Sequence, residues 1–501
     1  MKSKVTERLA EAAAPEVVDY IYLPRLREEF AASFAHMTAV NRAHVVMLAR
    51  RRIVRAPAAR KILRALATLE RRGARGFRLD PGLEDAYFNY EAAVIALTGT
   101  DVGGQMHTAR SRNDLGATIA RLMVRDALLE DVPLLFRARR SALAQARRYA
   151  HVVMPGYTHL QPAQPLTFGH YLVGIAAALE RDTRRIAAAY ETANRSPLGA
   201  CALAGTTFPI DRELTARLLG FDGIVEHTLD AVASRDFALE LVAGWSIFGL
   251  TCSRLAQDCH IWVSHEFGSV DFPDRVAATS SIMPQKKNPV VLEHLKGKPA
   301  HLLAAFVSMA AAVKATTFTN TIDGNREATH WLWHARDEAR ACAVLLNLVL
   351  AAVRPNARLL AERARADFST ATDLADLLVR RGGLSFREAH HVVGGVVRDA
   401  IAAGLRADQI GSDLVDRVAR RVVGHSARLE AGALRNALDP RRSVDGRAHP
   451  GGPAPREVRR MIAEGERRLR AEERAHAARV ARVERAREAL RREVRTVLRG
   501  R

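Results

Sequence analysis

Aromatic residues make up only 6 % of this 501-residue chain, and cysteine occurs four times. Cys201, Cys252, Cys259 and Cys342 show no metal-ligand pairing, and the helical repeat between Cys252 and Cys259 places both thiols on a packed face. His107, His159 and His170 do not form the close helical pair a zinc site uses, and adjacent His390 and His391 point about 100° apart on a helix. No glycine-rich loop joins a strand to a helix, so a nucleotide cradle is not expected. The longest uncharged apolar stretch, about 241–253, is too short to cross a bilayer. Arg8, Glu11 and Glu16 interrupt the apolar residues where a signal peptide would lie. Alternating strand patterns are scarce. Together these absences point to a cytoplasmic protein that uses neither metal nor cofactor and does not touch a membrane.

What the chain does have is Ala, Leu and Arg, which suits helices. Apolar residues recur at three- and four-residue steps over 115–150, 166–193, 236–263, 290–313 and 327–353. Pro133 and Pro299 are expected to break or kink the first and fourth of these runs. Such long helices with little polar relief must pack against one another. The expected organisation is an N-terminal helical domain (1–111), a central long-helix bundle (112–354) and a small C-terminal helical domain (355–501) ending in a basic helix. The net charge of +21 gathers largely in that last helix, where acidic residues alternate with arginines. Alternating signs describe a solvated, ion-paired face. With no interleaved aromatics and no recognition module, nucleic-acid binding is not expected.

The most informative stretch is Ser280-Ser281-Ile282-Met283-Pro284-Gln285-Lys286-Lys287-Asn288-Pro289. Two hydroxyls, two ammonium groups and an amide, framed by prolines, form a shaped loop that can gather around a carboxylate. This run resembles the signature loop of the fumarase/aspartase superfamily, and its Gln-Lys-Lys-Asn-Pro ending resembles the argininosuccinate lyase branch. Two further stretches match that family in the same order, 103–114 (Gly103 to Asp114) and 154–165 (Met154 to Pro165). Shorter matches lie at Pro197-Leu198-Gly199-Ala200, at Leu229-Asp230-Ala231-Val232 and at Ala371-Thr372-Asp373. The resemblance implies an all-α, three-domain fold that assembles as a homotetramer. It also implies active sites built from three subunits, and elimination of an amine from a succinyl group to release fumarate.

Carried over residue by residue, the family pattern makes Ser280 the base, activated by Lys286 and by backbone N–H groups of its loop. His159, with Glu293 as partner carboxylate, would position the leaving amine or shuttle its proton, the general acid being left open. Thr158, Arg112 and Asn113 would hold substrate carboxylates, with Thr108 and Ser281 as further donors. Lys286 and Asn288 would hold the carboxylate whose charge grows.

The chain departs from the family at several points. Thr279 and Ala109 stand where glycine is usual, and Tyr87 where argininosuccinate lyases carry histidine. The larger change is the run Phe318 to Glu327, in which Phe318, Asp323 and Arg326 replace a Tyr, Gln and Lys that hold the arginine end of argininosuccinate. The succinyl half is therefore retained and the amine half altered. We expect a carbon–nitrogen lyase for N-substituted aspartates of the aminopolycarboxylate kind, such as ethylenediamine-disuccinate, with Arg326 meeting the extra carboxylate. Argininosuccinate cleavage is the alternative. A crystallin-like structural protein and a nucleic-acid-binding protein are the non-enzymatic ones.

Overall fold

The computed structural model describes residues 11–500, and of the signal-peptide argument Arg8 lies outside them. Helices dominate: α1 (Leu23–Arg50), α2 (Ala56–Arg72), α3 (Ala86–Thr98), α4 (Arg112–Arg148), α5 (Phe168–Ala193), α6 (Asp236–Val263), α7 (Val290–Gly297), α8 (Pro299–Val313), α9 (Leu332–Ala352), α10 (Ala371–Arg381), α11 (Phe386–Ala402), α12 (Ser412–Val423) and α13 (Pro455–Arg499) carry most of the chain. Three two-stranded antiparallel pieces complete it. Two of them matter here: β1 (Val153–Thr158) with β2 (Gln161–Thr167), and β3 (Ala278–Thr279) with β4 (Lys287–Asn288).

Side chains segregate into three main cores. The first joins α4 through α9, with Leu172, Trp245, Phe248, Leu302 and Leu346 nearly inaccessible and both Cys252 and Cys259 in the same packed face. The second joins α1, α2, α3 and the start of α4 around Phe30, Phe34, Ile62 and Tyr90. The third is a small body of α10, α11 and α12 around Leu378, Val392 and Val418. The terminal helix α13 sits with the first two bodies rather than the third: Val458, Ile462 and Leu469 enter the bundle core and Leu490 the N-terminal one. Its charges are met from outside as well as along its own face. Arg139, Arg140 and Arg147 of α4 pair with Glu472, Glu473 and Glu466, while Glu180, Asp222 and Asp126 receive Arg468, Arg482 and Arg487.

Pro133 does not break its helix. α4 runs unbroken from Arg112 to Arg148 with Pro133 inside it. A proline there leaves the carbonyl four residues earlier without its N–H, and that carbonyl, Leu129 O, receives His476 Nε2 of α13 at 3.0 Å instead. The gap is thus closed by a side chain from a distant segment. At Pro299 the expected interruption does occur, with α7 ending at Gly297 and α8 starting at the proline. The fifth run begins later than its pattern suggests, because Asp323–Glu327 forms a wide helical turn before α9 starts at Leu332.

Candidate active site

The three sequence stretches occupy different ends of the bundle. Arg112 is the first residue of α4, where Ser111 and Asp114 cap the helix reciprocally. The β1–β2 hairpin follows the other end of the same helix. At 1.5 Å per residue, the 37 residues of α4 span about 55 Å, with Arg112 at its first turn and the hairpin that carries His159 after its last. Ser280 lies between β3 and β4, just before α7, which packs against α6; Lys296 of α7 donates to His260 near the C-terminal end of α6.

At the start of α4 the side chains are held tightly. Arg112 Nη1 donates to Glu84 at 3.0 Å and Asp85 at 2.9 Å, and its guanidinium lies 4.1 Å from the Phe88 ring centroid. Burial works against its charge, yet Asp85 and Glu84 outweigh that and keep it firmly protonated. Asp85 also caps α3 through the Phe88 N–H and has Arg326 Nη2 at 3.8 Å. The altered 318–327 segment therefore meets the first motif within one chain. Asn113 donates to Ala202 O at 3.0 Å and accepts from Asn320 at 2.9 Å. Thr108 offers its carbonyl to the buried His44 at 2.8 Å. Ala109, standing where the family has glycine, does adopt φ +57°, a strain of about 1–2 kcal/mol.

Both hairpins, in contrast, end in open tips. Thr158 pairs with Gln161, which leaves His159 and Leu160 as a two-residue turn with φ +55° and +57°. Such turns normally take Asn-Gly because both central residues are left-handed. A histidine and a leucine held there mark strain that the fold sustains, and such strain concentrates at functional sites. Both side chains are exposed. Gly156 permits the bulge below the tip, since a Cβ there would sit 2.6 Å from Gln164 O.

In the second hairpin, Thr279 pairs with Lys287 and the intervening loop is solvent-facing. Ser280 Oγ accepts the N–H of Ile282 at 3.3 Å and of Met283 at 3.0 Å. Two donors converging on one hydroxyl oxygen stabilise its deprotonated form. The two lysines divide their work. Lys287 is tied to Asp271, Asp274 and Phe272 O, whereas Lys286 forms no ion pair among the described residues. Ser281 is exposed, and Asn288 reaches back to Thr279 O at 3.4 Å.

Among the described residues, no hydrogen bond or ion pair joins His159 to Glu293. Glu293 instead has His260 Nε2 at 4.0 Å, and Lys296 donates to the other ring nitrogen of His260 at 2.8 Å. No group of side chains among the described residues has the make-up of a metal site, and no described helix is long and apolar enough to cross a membrane.

Several polar residues near these motifs carry weight that the sequence reading assigned to none of them. Asp114, fully buried, accepts the N–H of Ser111, Gly199 and Cys201 and so ties the 197–201 loop to α4. Its adjacency to Asn113 in the motif was the available signal. Tyr87 gathers His107 at 2.8 Å, Arg110 at 3.0 Å and Glu91 at 3.1 Å on one hydroxyl. With its proton given to Glu91, the phenol oxygen accepts from the other two. Burial, aided by Arg110 and Arg112, pushes His107 down to about 4, so it is neutral near pH 7. Arg235, buried, donates to Asn320. Neither Arg235 nor His260 belongs to a periodic or spacing pattern that could have flagged it.

This fold recurs in known lyases. Residues 21–303 match the family model described as lyase, and residues 368–445 match that of the argininosuccinate lyase C-terminal region. The chain superposes on class II fumarase from Schistosoma mansoni with a TM-score of 0.68 at 15 % identity over 86 % of this chain and 95 % of that one, a likeness of fold alone. It superposes on the crystal structure of EDDS (ethylenediamine-disuccinate) lyase in complex with formate with a TM-score of 0.88 at 32 % identity, covering 98 % of this chain and 97 % of that one. Argininosuccinate lyase 1 of Shouchella clausii is 40 % identical over 462 residues, 92 % of this chain and 93 % of that protein. Argininosuccinate lyase of Methanothermobacter thermautotrophicus is 40 % identical over 424 residues, 85 % of this chain and 90 % of that protein. The class is therefore the fumarase/aspartase superfamily of helical lyases. Within it, the chain belongs to the argininosuccinate lyase family and is a carbon–nitrogen lyase that releases fumarate.

Proposed function

We propose that the enzyme cleaves an N-substituted aspartate whose leaving amine carries a further carboxylate, by β-elimination in a site shared between subunits of a homotetramer. The observation that carries the substrate class is the cluster at Asp85. Arg112 of the succinyl-binding motif and Arg326 of the altered segment both approach that one carboxylate, at 2.9 and 3.8 Å. Two guanidinium groups beside one another suit two carboxylates on one ligand. Asp323, exposed in the same segment, is held below the usual carboxylate range by the Thr321 hydroxyl and the Gly324 N–H, which leaves an anion available to an ammonium. A pocket offering one guanidinium and one carboxylate matches an amino-carboxylate leaving group better than a guanidine.

In this reading Ser280, with the Ile282 and Met283 N–H groups on its oxygen, removes the proton next to a carboxylate. Lys286 and Asn288 stabilise the charge that builds on that carboxylate. Arg112, Asn113, Thr108, Thr158 and Ser281 hold the remaining oxygens. His159 attends the amine, with Glu293 supplied from another subunit. The length of α4 supports the shared site, since Arg112 and the hairpin that carries His159 follow from opposite ends of that one helix. Ile247, Leu250, Leu303, Val307 and Val344, all exposed on the bundle helices, supply apolar area for assembly.

The 40 % identity to argininosuccinate lyases favours a second reading, cleavage of argininosuccinate itself. Fumarate release, followed by ultraviolet absorbance, from ethylenediamine-disuccinate and from argininosuccinate decides between them. We expect turnover of the first to exceed that of the second. Rapid turnover of argininosuccinate alone would replace the first reading with the second.

A further inference from the structure

We propose that Asn320 is a positioning residue that sets the direction in which Asn113 presents its amide to substrate. The inference rests on the reading of Asn113 as a carboxylate donor. Arg235 is buried and fixed by its Nη1, which donates to Val232 O at 3.1 Å and Ser234 O at 2.6 Å. Its Nη2 donates to Asn320 Oδ1 at 2.9 Å. A guanidinium has no acceptor, so the oxygen of the Asn320 amide must face Arg235. The Asn320 NH2 must then face Asn113, and it does, at 2.9 Å from Oδ1. Asn113 is left with its own NH2 pointing the other way, one N–H on Ala202 O at 3.0 Å and the second without a partner among the described residues, open to a ligand. The order Arg235 to Asn320 to Asn113 is thus a one-way relay: a group that only donates orients two amides that would otherwise be free to flip. The relay links the two halves of the site, because Asn320 belongs to the altered 318–327 segment and Asn113 to the retained first motif.

The relay predicts that the gentlest change in shape does the most harm. Asn320→Asp keeps the size and the contact with Arg235 but places an acceptor against Asn113 Oδ1. Asn113 must then turn its NH2 inward and its oxygen toward the substrate carboxylate. Asn320→Ala merely releases Asn113. With the full-length enzyme, and whichever of ethylenediamine-disuccinate or argininosuccinate it turns over, KM and the inhibition constant for fumarate should rise about tenfold in Asn320→Ala and about a hundredfold in Asn320→Asp. Turnover at saturation should change far less, as expected for lost ground-state binding. On an Asn113→Ala background, Asn320→Asp should add nothing. An Asn320→Asp enzyme that binds as well as Asn320→Ala, or one that still weakens binding without Asn113, overturns the relay. If Asn113→Ala alone leaves KM unchanged, Asn113 is not a substrate ligand and the underlying reading falls with it.

Discussion

The two ends of the bundle treat their functional side chains in opposite ways. At the start of α4, Arg112 and Asn113 are held in place by partners from the same chain: Glu84, Asp85, Ala202 and Asn320. At the hairpin tips, His159 and Ser281 are exposed, and among the described residues Ser280 Oγ hydrogen-bonds only within its own loop. On the proposed shared site, the first end is organised within one chain and the second is the part a neighbouring subunit would complete. Side chains that already hold hydrogen bonds lose less freedom on binding, so on that proposal the substrate's carboxylates would meet a preformed grip and the chemistry would be completed by groups from a second chain.

The sharpest way to probe this contrast is to remove the base from its open tip. Ser280→Ala should lower elimination by about 10³-fold or more while circular dichroism and the oligomer remain unchanged, because nothing outside the loop depends on that hydroxyl. Wild-type-like turnover would remove Ser280 from its role. Next in size, Arg112→Gln should cost about 10²-fold and, unlike Ser280→Ala, should also lower thermal stability, since Asp85 loses the partner that balances it. Equal stability of the two variants would dissolve the distinction between the two ends. Mixing these inactive proteins after partial dissociation should regenerate some activity, because a shared site can combine an intact loop from one chain with an intact Arg112 from another. No recovery in mixed tetramers, verified by mass, would place each site in a single chain.

The smallest expected effect concerns pH. His107 and His44, both near the first motif, are held below the ordinary histidine value chiefly by burial, His107 at about 4 against 6.5. The folded chain then binds fewer protons than the unfolded chain below pH 6.5, so stability present above that pH is lost as pH falls toward 4. His107→Asn should remove on the order of 1–2 kcal/mol of that acid sensitivity, measured by urea unfolding at several pH values. An unchanged acid profile would show that His107 does not titrate with folding.

Much of this could be read from residue order alone, and the exceptions are instructive. The run 236–263 becomes α6 with the same limits, because its apolar spacing holds throughout and Cys252 and Cys259 fall on the packed face. The hairpin at 153–167 was not legible as strand, since its residues, rich in Pro, Gln and Thr, carry no alternation. Backbone N–H groups of its loop were expected near Ser280, and those of Ile282 and Met283 donate to its Oγ. Arg235 and Asn320 were not, because their roles come from a contact 85 positions apart that no local pattern encodes. Substrate-facing residues announce themselves by chemical type, whereas the residues that aim them are visible only once the chain has folded.

The proline inside α4 carries a consequence for how the protein is made. Leu129 O finds its donor only in His476, 347 positions later. During synthesis α4 is therefore complete in covalent terms well before its backbone bonding can be finished, because the missing donor belongs to α13. Loop closure over that span is slow compared with local helix formation. A nascent chain that has built everything up to α12 still lacks the bond that closes the gap at Pro133, so the scaffold around that proline can mature only once α13 has been made.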